Sequence, residues 1–375
     1  METSLQLRAL QSLSEVPAAA WDALAGEQPF LRHAFLYALE QAGCVDADCG
    51  WLPQYLSAWR GQELVGALPL YVKGHSYGEF VFDWAWAEAY ERHGLRYYPK
   101  LIAAVPFSPI AGARLLATET PVRAALAHAA LAAAADFSSL HILFPHEAEA
   151  RDWEAQGCML RQGVQFHWKN DGYRSFDDFL QTLAHPKRKK IKQERRRVRD
   201  SGVKLFCKRG VDLKERDWDF FYRCYVHTYN AHHSTPYLNA DFFKLLGAYM
   251  PHNLCMVLAE QEGTPIAAAL NLYDSHRLYG RYWGALTYVP ALHFEACYYQ
   301  AIDFCIANGI EWMEGGAQGE HKLSRGFLPV PTWSAHWLRH PEFASAVERF
   351  LAREAKGVAG YIDELNERAP FKRKT

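Results

Sequence analysis

The spacing of apolar residues changes in the same order at two places in the chain. Apolar residues three and four apart predict helices at Pro29–Ala42 and Ala240–Tyr249. Each helix precedes a pair of runs typical of strands, joined near Gly61 in the first set and near Gly263 in the second. The predicted strands are Gln54–Trp59, Leu64–Val72, Cys255–Glu260, Ile266–Tyr273 and Arg277–Trp283.

Each set closes with a helix that leads into a buried strand. The helices are predicted at Val122–Ala135 and Leu292–Ala307, and the strands at Leu140–Phe144 and Ile310–Glu314. A helix, antiparallel strands and a second helix crossing to another strand are typical of an α+β or three-layer α/β/α unit. The pattern therefore predicts an α/β (α+β) protein built from two similar units.

The two sets are also similar residue by residue. Residues 61–80 align without a gap with residues 263–282, and seven of the twenty positions are identical: 61, 67, 68, 70, 71, 77 and 78. Such self-similarity indicates an internal duplication. We predict domains at 1–165 and 166–375, the second opening with a basic helix at about 185–200.

Composition and charge narrow the class of protein. The 375 residues are 50% hydrophobic and 22% charged, as in folded globular proteins, and the net charge of −1 argues against a general polyanion binder. No apolar run approaches the roughly 18 residues of a membrane span, and the first residues lack an export signal. The eight cysteines are scattered singly, so we expect reduced thiols, a cytoplasmic location and no metal site.

The most charged segment lies between the two sets. Residues 187–199 contain nine basic residues and one acidic residue, while Ile191 and Val198, seven apart, form a thin apolar seam of a helix. Two interpretations remain open: a solvated linker helix, or a surface for an anionic partner such as a phosphate-rich ligand, RNA or a membrane. The candidate anion-binding residues are Lys187, Arg188, Arg195, Arg196 and Arg197.

The last predicted strand runs into glycines and then into a dense set of polar residues. Lys322 and Arg325 can bind a carboxylate or phosphate or stabilise an oxyanion. Either Glu314 or His321 can accept a proton from an amine, and the alternative is an ordinary glycine-rich surface loop. The candidate catalytic residues are Lys322, Glu314 and His321, and the candidate ligand-binding residues are Arg281, Tyr282, Trp283, His293, Glu295, Gly315, Gly316, Gln318 and Arg325.

Two further features of the sequence bear on the candidate site. His293 and Glu295 either face one cleft or form a pair at a helix start. In the first copy, residues 107–114 carry fewer ionisable groups than the corresponding part of the second. We therefore expect the first copy to serve as a scaffold and half of a cleft, and the second to carry the chemistry.

These residues carry a family resemblance. The duplicated unit resembles the GNAT acyltransferase fold used twice in one chain, as in the FemAB-like proteins. Lys187–Gly202 and Gly315–Phe327 are similar to the basic stretch and the glycine-rich loop of such proteins, and Pro106–Pro109 and Glu314–Lys322 to signature stretches of the branch of predicted N-acyltransferases. The resemblance implies two tandem GNAT-like domains, each a mixed, mostly antiparallel sheet flanked by helices.

The resemblance also implies acyl transfer to an amine. The expected activity is transfer of an acyl or aminoacyl group to a cell-wall precursor or related acceptor, without a tightly bound cofactor. The donor would be aminoacyl-tRNA or acyl-CoA, and a tRNA would contact the basic segment 187–199. By position, Lys322 would favour the charged transition state, with Arg325 as the other choice.

One departure from the wider GNAT pattern bears on the donor. In that family, a glycine-containing motif before a helix binds the pyrophosphate of CoA, whereas Leu286–Glu295 contains no glycine and one proline. This argues against CoA held in the usual way. The alternatives are a CoA-dependent transferase acting on a small amine or lipid precursor, and a non-catalytic module that binds a ligand.

Overall fold

The computed structural model describes residues 4–316 and 319–372. The strands are β1 (Leu5–Leu10), β2 (Trp51–Pro53), β3 (Tyr55–Arg60), β4 (Glu63–Leu68), β5 (Leu70–Lys73), β6 (Lys100–Ala103), β7 (Ser139–Leu143), β8 (Met159–Lys169), β9 (Val203–Arg209), β10 (Leu254–Gln261), β11 (Thr264–Tyr273), β12 (Arg277–Ala285), β13 (Trp312–Glu314) and β14 (Leu328–Leu338). The helices are α1 (Ala18–Ala25), α2 (His33–Gln41), α3 (Trp84–Arg92), α4 (Thr120–Ala134), α5 (Glu147–Ala155), α6 (Phe176–Thr182), α7 (His185–Asp200), α8 (Glu215–Ala231), α9 (Ala240–Tyr249), α10 (Leu292–Phe294), α11 (Gln300–Ala307) and α12 (Pro341–Glu367). Within the described ranges, every helix is too short or too polar to cross a bilayer.

The chain divides into two compact units. The first contains Met1–Gly163 and Pro331–Gly360, and the second contains Val164–Val330 and Tyr361–Thr375. A single cut after residue 165 differs from this division in the C-terminal part. Residues 331–338 of β14 belong to the first unit because they include the partners of β7, where Ser334 lies opposite Leu143 in an antiparallel pair.

The first unit contains two sets of paired strands. Strands β1, β3 and β4 form a three-stranded antiparallel sheet. Strands β2, β5 and β6 pair antiparallel in that order, β6 pairs parallel with β7, and β7 pairs antiparallel with β14. Helix α4 connects β6 to β7 and packs its alanine-rich face into the core, with Leu126, Ala127 and Ala130 fully buried.

The second unit repeats this order of pairing. Strands β9, β10, β11 and β12 are antiparallel, β12 pairs parallel with β13 across the helical segment of residues 292–307, and β13 pairs antiparallel with β8. In both units, therefore, an antiparallel hairpin is followed by a parallel strand reached through a helix. The predicted fold class, two α/β units with mixed and mostly antiparallel sheets flanked by helices, is confirmed.

Local sequence signals explain where several elements begin and end. Helix α9 has the predicted bounds. It begins at Ala240 because Asn239 accepts a hydrogen bond from the Phe242 amide, 2.9 Å away, as a helix N-cap does. Strands β10 and β11 join through Glu262 and Gly263, whose φ angles are +52° and +77°. Two successive positive φ angles give the turn twist that suits a two-residue hairpin.

Two predicted elements are interrupted. The helix predicted at Leu292–Ala307 consists of α10, one π-helical turn at Glu295–Tyr299, and α11. The strand predicted at Leu64–Val72 is divided at Pro69, which has no amide hydrogen to donate to a sheet. As a result, β4 and β5 pair with different strands.

The first unit also contains a buried ionic cluster. The Lys100 side chain is fully buried, and its ammonium group donates hydrogen bonds to Glu79 and Ser76, each at 2.8 Å, and to Asp83. The Tyr97 hydroxyl donates to Asp83 at 2.6 Å. Burial raises the pKa of Glu79 to about 7. Because buried charges are stable only when paired, the cluster depends on Lys100.

We expect Lys100→Met to lower the free energy of unfolding by about 3–5 kcal/mol, because it leaves Asp83 buried without its counter-ion. Chemical denaturation at pH 7 measures the loss. Lys356→Met, an exposed position on α12, is the matched control and should change the free energy by less than about 0.5 kcal/mol. Equal stability of the two variants would contradict a structural role for the cluster.

Candidate functional site

The parallel pairing of β12 with β13 is short. Arg277–Tyr279 lies beside Trp312–Glu314, and β13 then ends, whereas β12 continues to Ala285. The two strands therefore stop sharing backbone hydrogen bonds after Tyr279. Strand ends that separate in this way leave backbone and side-chain groups available to a ligand.

A β-bulge in β12 lies where the two strands separate. Asn271 of β11 is opposite Gly280, and Leu270 is opposite Tyr282, which leaves Arg281 as the extra residue. A bulge bends its strand and redirects the neighbouring side chains. A cavity of about 90 Å³ opens there, and five of the predicted ligand-binding residues line it: Arg281, Tyr282, Trp283, His293 and Gly315.

The glycines after β13 allow the Lys322 side chain to pass directly beneath the backbone. A Cβ atom at Gly315 would lie 3.1 Å from Cδ and 3.2 Å from Cε of Lys322. Gly316 has a φ of +85°, a conformation that favours glycine. Lys322 Nζ donates a hydrogen bond to the Gly316 carbonyl at 3.0 Å. The loop and the lysine thus fix one another beside the cavity.

Lys322 is a buried cation with a lowered pKa. Its residue is 2% exposed, and burial, supported by the positive charge of Arg281, lowers the pKa to about 8. Cys297, which lines the cavity, is near enough to oppose this shift. At neutral pH, Lys322 therefore remains mostly protonated next to the cavity.

Glu314 ends β13 with a buried carboxyl group. Its Oε1 accepts a hydrogen bond from Arg277 Nη1 at 3.0 Å, while Oε2 has no hydrogen-bond partner among the residues described. Burial raises the pKa to about 7 in spite of Arg277. The carboxyl group can therefore exchange a proton near neutral pH. Gly315, the next residue, lines the cavity.

His321 connects to the cavity through a tyrosine. It lies in a 3₁₀ turn at Glu320–Arg325, and its Nε2 is 3.0 Å from the hydroxyl of Tyr298. Tyr298 lines the cavity, whereas the imidazole is exposed. Partial burial lowers the pKa of His321. Burial raises the pKa of Tyr298, so the tyrosine stays protonated and links the cavity to the exposed imidazole through this hydrogen bond.

His293 and Glu295 face different cavities. His293 lines the small cavity, with its ring centre 5.5 Å from that of Trp283, and burial lowers its pKa to about 4. Glu295 lines a second cavity of about 460 Å³ beside α7. The π-helical turn starts at Glu295, and one helical segment thus lines both cavities.

The predicted basic helix is present as α7, with Ile191 and Val198 buried. Of its predicted anion-binding residues, Arg195 and Arg196 line the 460 Å³ cavity, together with Lys192 and Arg199, which were not predicted. We call this cavity the α7 groove. The other predicted residues of α7, Lys187, Arg188 and Arg197, lie outside its lining.

Arg325 makes internal contacts throughout its guanidinium group. It pairs with Glu194 of α7 at 2.8 Å, and its Nε donates to the Tyr299 hydroxyl at 3.0 Å. A further hydrogen bond of 2.7 Å reaches the His321 carbonyl, and the group lies 3.4 Å from the ring centre of Phe294. These contacts position the 3₁₀ turn against α7, and ligand binding by Arg325 stays a prediction. Gln318 lies outside the described residues.

Several residues of the small cavity were not predicted. Asn271, Cys297 and Tyr298 all contribute to its lining. Asn271 could have been found, because it is a single polar residue inside the apolar run of β11 and is 1% exposed. Cys297 and Tyr298 had no such signal, since their positions depend on the π-helical turn.

The chain is similar to a known protein family over almost its whole length. A family model described as FemAB-like, peptidoglycan biosynthesis/recognition, matches residues 12–373. No curated protein sequence matches the chain significantly. Among solved structures, FemX is similar with a TM-score of 0.55 and 11% identity, over 88% of this chain and 98% of FemX.

Two lipid-related structures are similar to the same extent. The C-terminal domain of a putative lysylphosphatidylglycerol synthetase from Agrobacterium fabrum has a TM-score of 0.55 and 10% identity, covering 91% of this chain and 97% of its own. L-PGS from Bacillus licheniformis has a TM-score of 0.55 and 8% identity, covering 92% and 99%. At these identities, the likenesses establish a shared fold.

We expect the Glu314 carboxyl group to titrate near pH 7, because burial opposes its ionisation. Carbon-detected NMR of labelled glutamate should show this titration in the wild type and not in Glu314→Gln. Since the pKa rises from 4.5 to about 7 on folding, the stability of the wild type relative to Glu314→Gln should fall by about 3 kcal/mol as pH rises through this range. The exposed control Glu311→Gln should keep the wild-type pH dependence, and a Glu314 titration below pH 5 would contradict the expectation.

Proposed function

This chain belongs to the FemAB-like family of peptidoglycan biosynthesis or recognition, and from that membership and the buried ammonium group of Lys322 we propose that it transfers an aminoacyl group to an amine of a cell-wall precursor. The observation that carries the proposal is the position of Lys322. Its Nζ is held 3.0 Å from the Gly316 carbonyl, directly behind the glycine that lines the cavity between β12 and β13.

Lys322 would stabilise the negative charge that develops on the acyl carbonyl. When the acceptor amine attacks the ester carbonyl, a C–N bond forms and the carbonyl oxygen gains negative charge before the bond to the donor's ribose oxygen breaks. A fixed cation in a buried site interacts strongly with such charge and needs little reorganisation. Holding the amine against the carbonyl supplies much of the remaining rate.

The proton of the amine would leave through Tyr298 and His321. Tyr298 lines the cavity and its hydroxyl is 3.0 Å from His321 Nε2, so the hydroxyl would take up the proton of the amine as it donates its own to the neutral imidazole. The ribose oxygen of the donor takes up a proton as it departs, which balances the reaction. Glu314, with a pKa of about 7, is the second candidate base, and it directly precedes Gly315, which lines the cavity.

Aminoacyl-tRNA is the proposed donor. The helix after β12 begins at Leu292, directly after Pro290 and Ala291, and Ala291 has a φ of +70°. Its three-residue first segment has no glycine-rich turn to bind a pyrophosphate, which disfavours CoA held in the usual GNAT manner. The nine basic residues at 187–199 supply the charge that an RNA donor requires.

Lys322→Met tests this proposal. The methionine keeps the stem that packs beneath Gly315 and removes the charge, so kcat should fall by about 10²–10³ for loss of one oxyanion-stabilising group. The assay is transfer of labelled amino acids from a mixture of aminoacyl-tRNAs to a soluble peptidoglycan precursor with a free side-chain amine. Because the pKa of Lys322 is about 8, wild-type kcat should also fall above that pH.

Lys244→Met is the matched control, because Lys244 is exposed on α9 in the same unit. It should retain wild-type kcat, and both variants should keep the wild-type circular dichroism spectrum. Unchanged turnover in Lys322→Met would overturn the catalytic role. Transfer from acetyl-CoA and not from aminoacyl-tRNA would show that the donor is an acyl-CoA. Binding of the precursor without any product would show that the protein is a recognition module and not an enzyme.

A further inference from the structure

The α7 groove combines cations, an apolar wall and a buried carboxylate. Lys192, Arg195, Arg196 and Arg199 line it, and their spacing of three and four residues places them on one face of α7. The wall is apolar and includes Leu180, Val203 and Leu205. The groove measures about 460 Å³, which suits a ligand of nucleotide size.

Two of the four cations lack an acidic partner among the residues that the structure describes. Arg195 is held by Asp303 at 2.8 Å and Glu295 at 3.1 Å, and Lys192 lies 3.7 Å from Asp177. In contrast, Arg196 and Arg199 form no ion pair with any residue that the structure describes. Arg196 and Arg199 lie three residues apart on α7 and both line the groove, a spacing that suits two arginines to bind one phosphate.

The buried carboxyl group of Glu295 has one oxygen that a ligand with a hydrogen-bond donor would satisfy. The residue is 3% exposed and lines the groove, and its Oε1 accepts a hydrogen bond from Gln300 at 2.8 Å and forms an ion pair with Arg195 at 3.1 Å. Its Oε2 has no hydrogen-bond partner in the described part of the chain. A buried carboxylate oxygen without a partner is costly, so a bound N–H or O–H group would stabilise it.

We propose that the α7 groove binds the phosphorylated adenine nucleoside at the end of the acyl donor. The phosphate lies between Arg196 and Arg199, the base packs on the apolar wall, and the amino group of adenine donates to Glu295 Oε2. This inference rests on the proposed function, because both donor classes end in adenosine that carries phosphate. The segment of residues 292–299 supports it, since His293 lines the small cavity and Glu295 lines the groove.

Binding of adenosine monophosphate to the full chain, measured by calorimetry, tests the phosphate contact. Arg196→Gln/Arg199→Gln should weaken binding about tenfold or more, because a hydrogen bond to a charged group is lost. The matched control, Arg216→Gln/Arg223→Gln, removes two exposed arginine charges of α8 that lie outside the groove lining, and it should bind within about twofold of wild type. Equal weakening of nucleotide binding in both double variants would show only general electrostatic attraction and would overturn the proposal.

Inosine monophosphate tests the contact of Glu295, because it replaces the amino group of adenine by a carbonyl oxygen. Wild-type protein should bind it about tenfold more weakly than adenosine monophosphate, and Glu295→Gln should reduce that preference, since an amide can also donate. Thermal unfolding checks that Glu295→Gln is folded. Equal affinity of wild type for the two nucleotides, or tighter binding of dodecyl phosphate than of either, would overturn the nucleoside assignment.

Two ligands distinguish the source of the nucleoside. Tighter binding of an oligonucleotide ending in CCA supports an RNA donor, and tighter binding of 3′-phosphoadenosine 5′-diphosphate supports a CoA donor. Lys322→Met should bind either ligand as wild type does. If Lys322→Met loses aminoacyl transfer but the wild-type groove binds no nucleotide, this inference is overturned and the proposed function stands.

Discussion

The ion pair between Arg325 and Glu194 is the interaction on which both parts of the candidate site depend. Glu194 belongs to α7, and Arg325 ends the 3₁₀ turn that carries Lys322 and His321. The Arg325 residue is 2% exposed, so its charge must be neutralised and its donors satisfied. Glu194, Tyr299 and the His321 carbonyl supply these partners. The basic helix and the lysine loop are thereby fixed relative to one another by a single side chain.

The small cavity arises from a backbone constraint and not from a special set of side chains. Strands β12 and β13 pair over three residues, and the bulge at Arg281 and the two glycines after Glu314 begin where that pairing ends. A strand that continued its ladder would use the same backbone groups for hydrogen bonds. Because Gly315 has no side chain, Lys322 can lie within about 3 Å of the position of its missing Cβ. The position of the candidate site therefore follows from where the pairing of β12 with β13 ends.

Features governed by local sequence could be predicted, and features governed by distant contacts could not. The start of α9 follows from its Asn239 cap, and α7 follows from the spacing of Ile191 and Val198 and a proline in its first turn. Gly315 was predicted because it follows the apolar strand that ends at Glu314. The π-helical turn has no signature in its sequence, yet it sets Glu295 and Tyr298 on different cavities. Similarly, residues 331–360 belong to the first unit through strand pairing with β7, a contact across almost 200 positions of the chain.

The first unit has the same pairing pattern with different side chains around it. There β6 and β7 also pair parallel over three residues, Leu101–Ala103 with Leu140–Ile142. The segment that follows β6, residues 104–110, is buried, and Arg114 beyond it donates hydrogen bonds to the carbonyls of Ile110 and Leu143. Backbone carbonyls thus accept hydrogen bonds from the buried guanidinium of Arg114, which lies between β6 and α4. In the second unit, two glycines and Lys322 follow β13, the counterpart of β7. The two copies therefore share a pairing pattern and differ in the side chains around it: in one, a buried arginine contacts backbone carbonyls, and in the other, a buried lysine lies behind the glycine that lines a cavity.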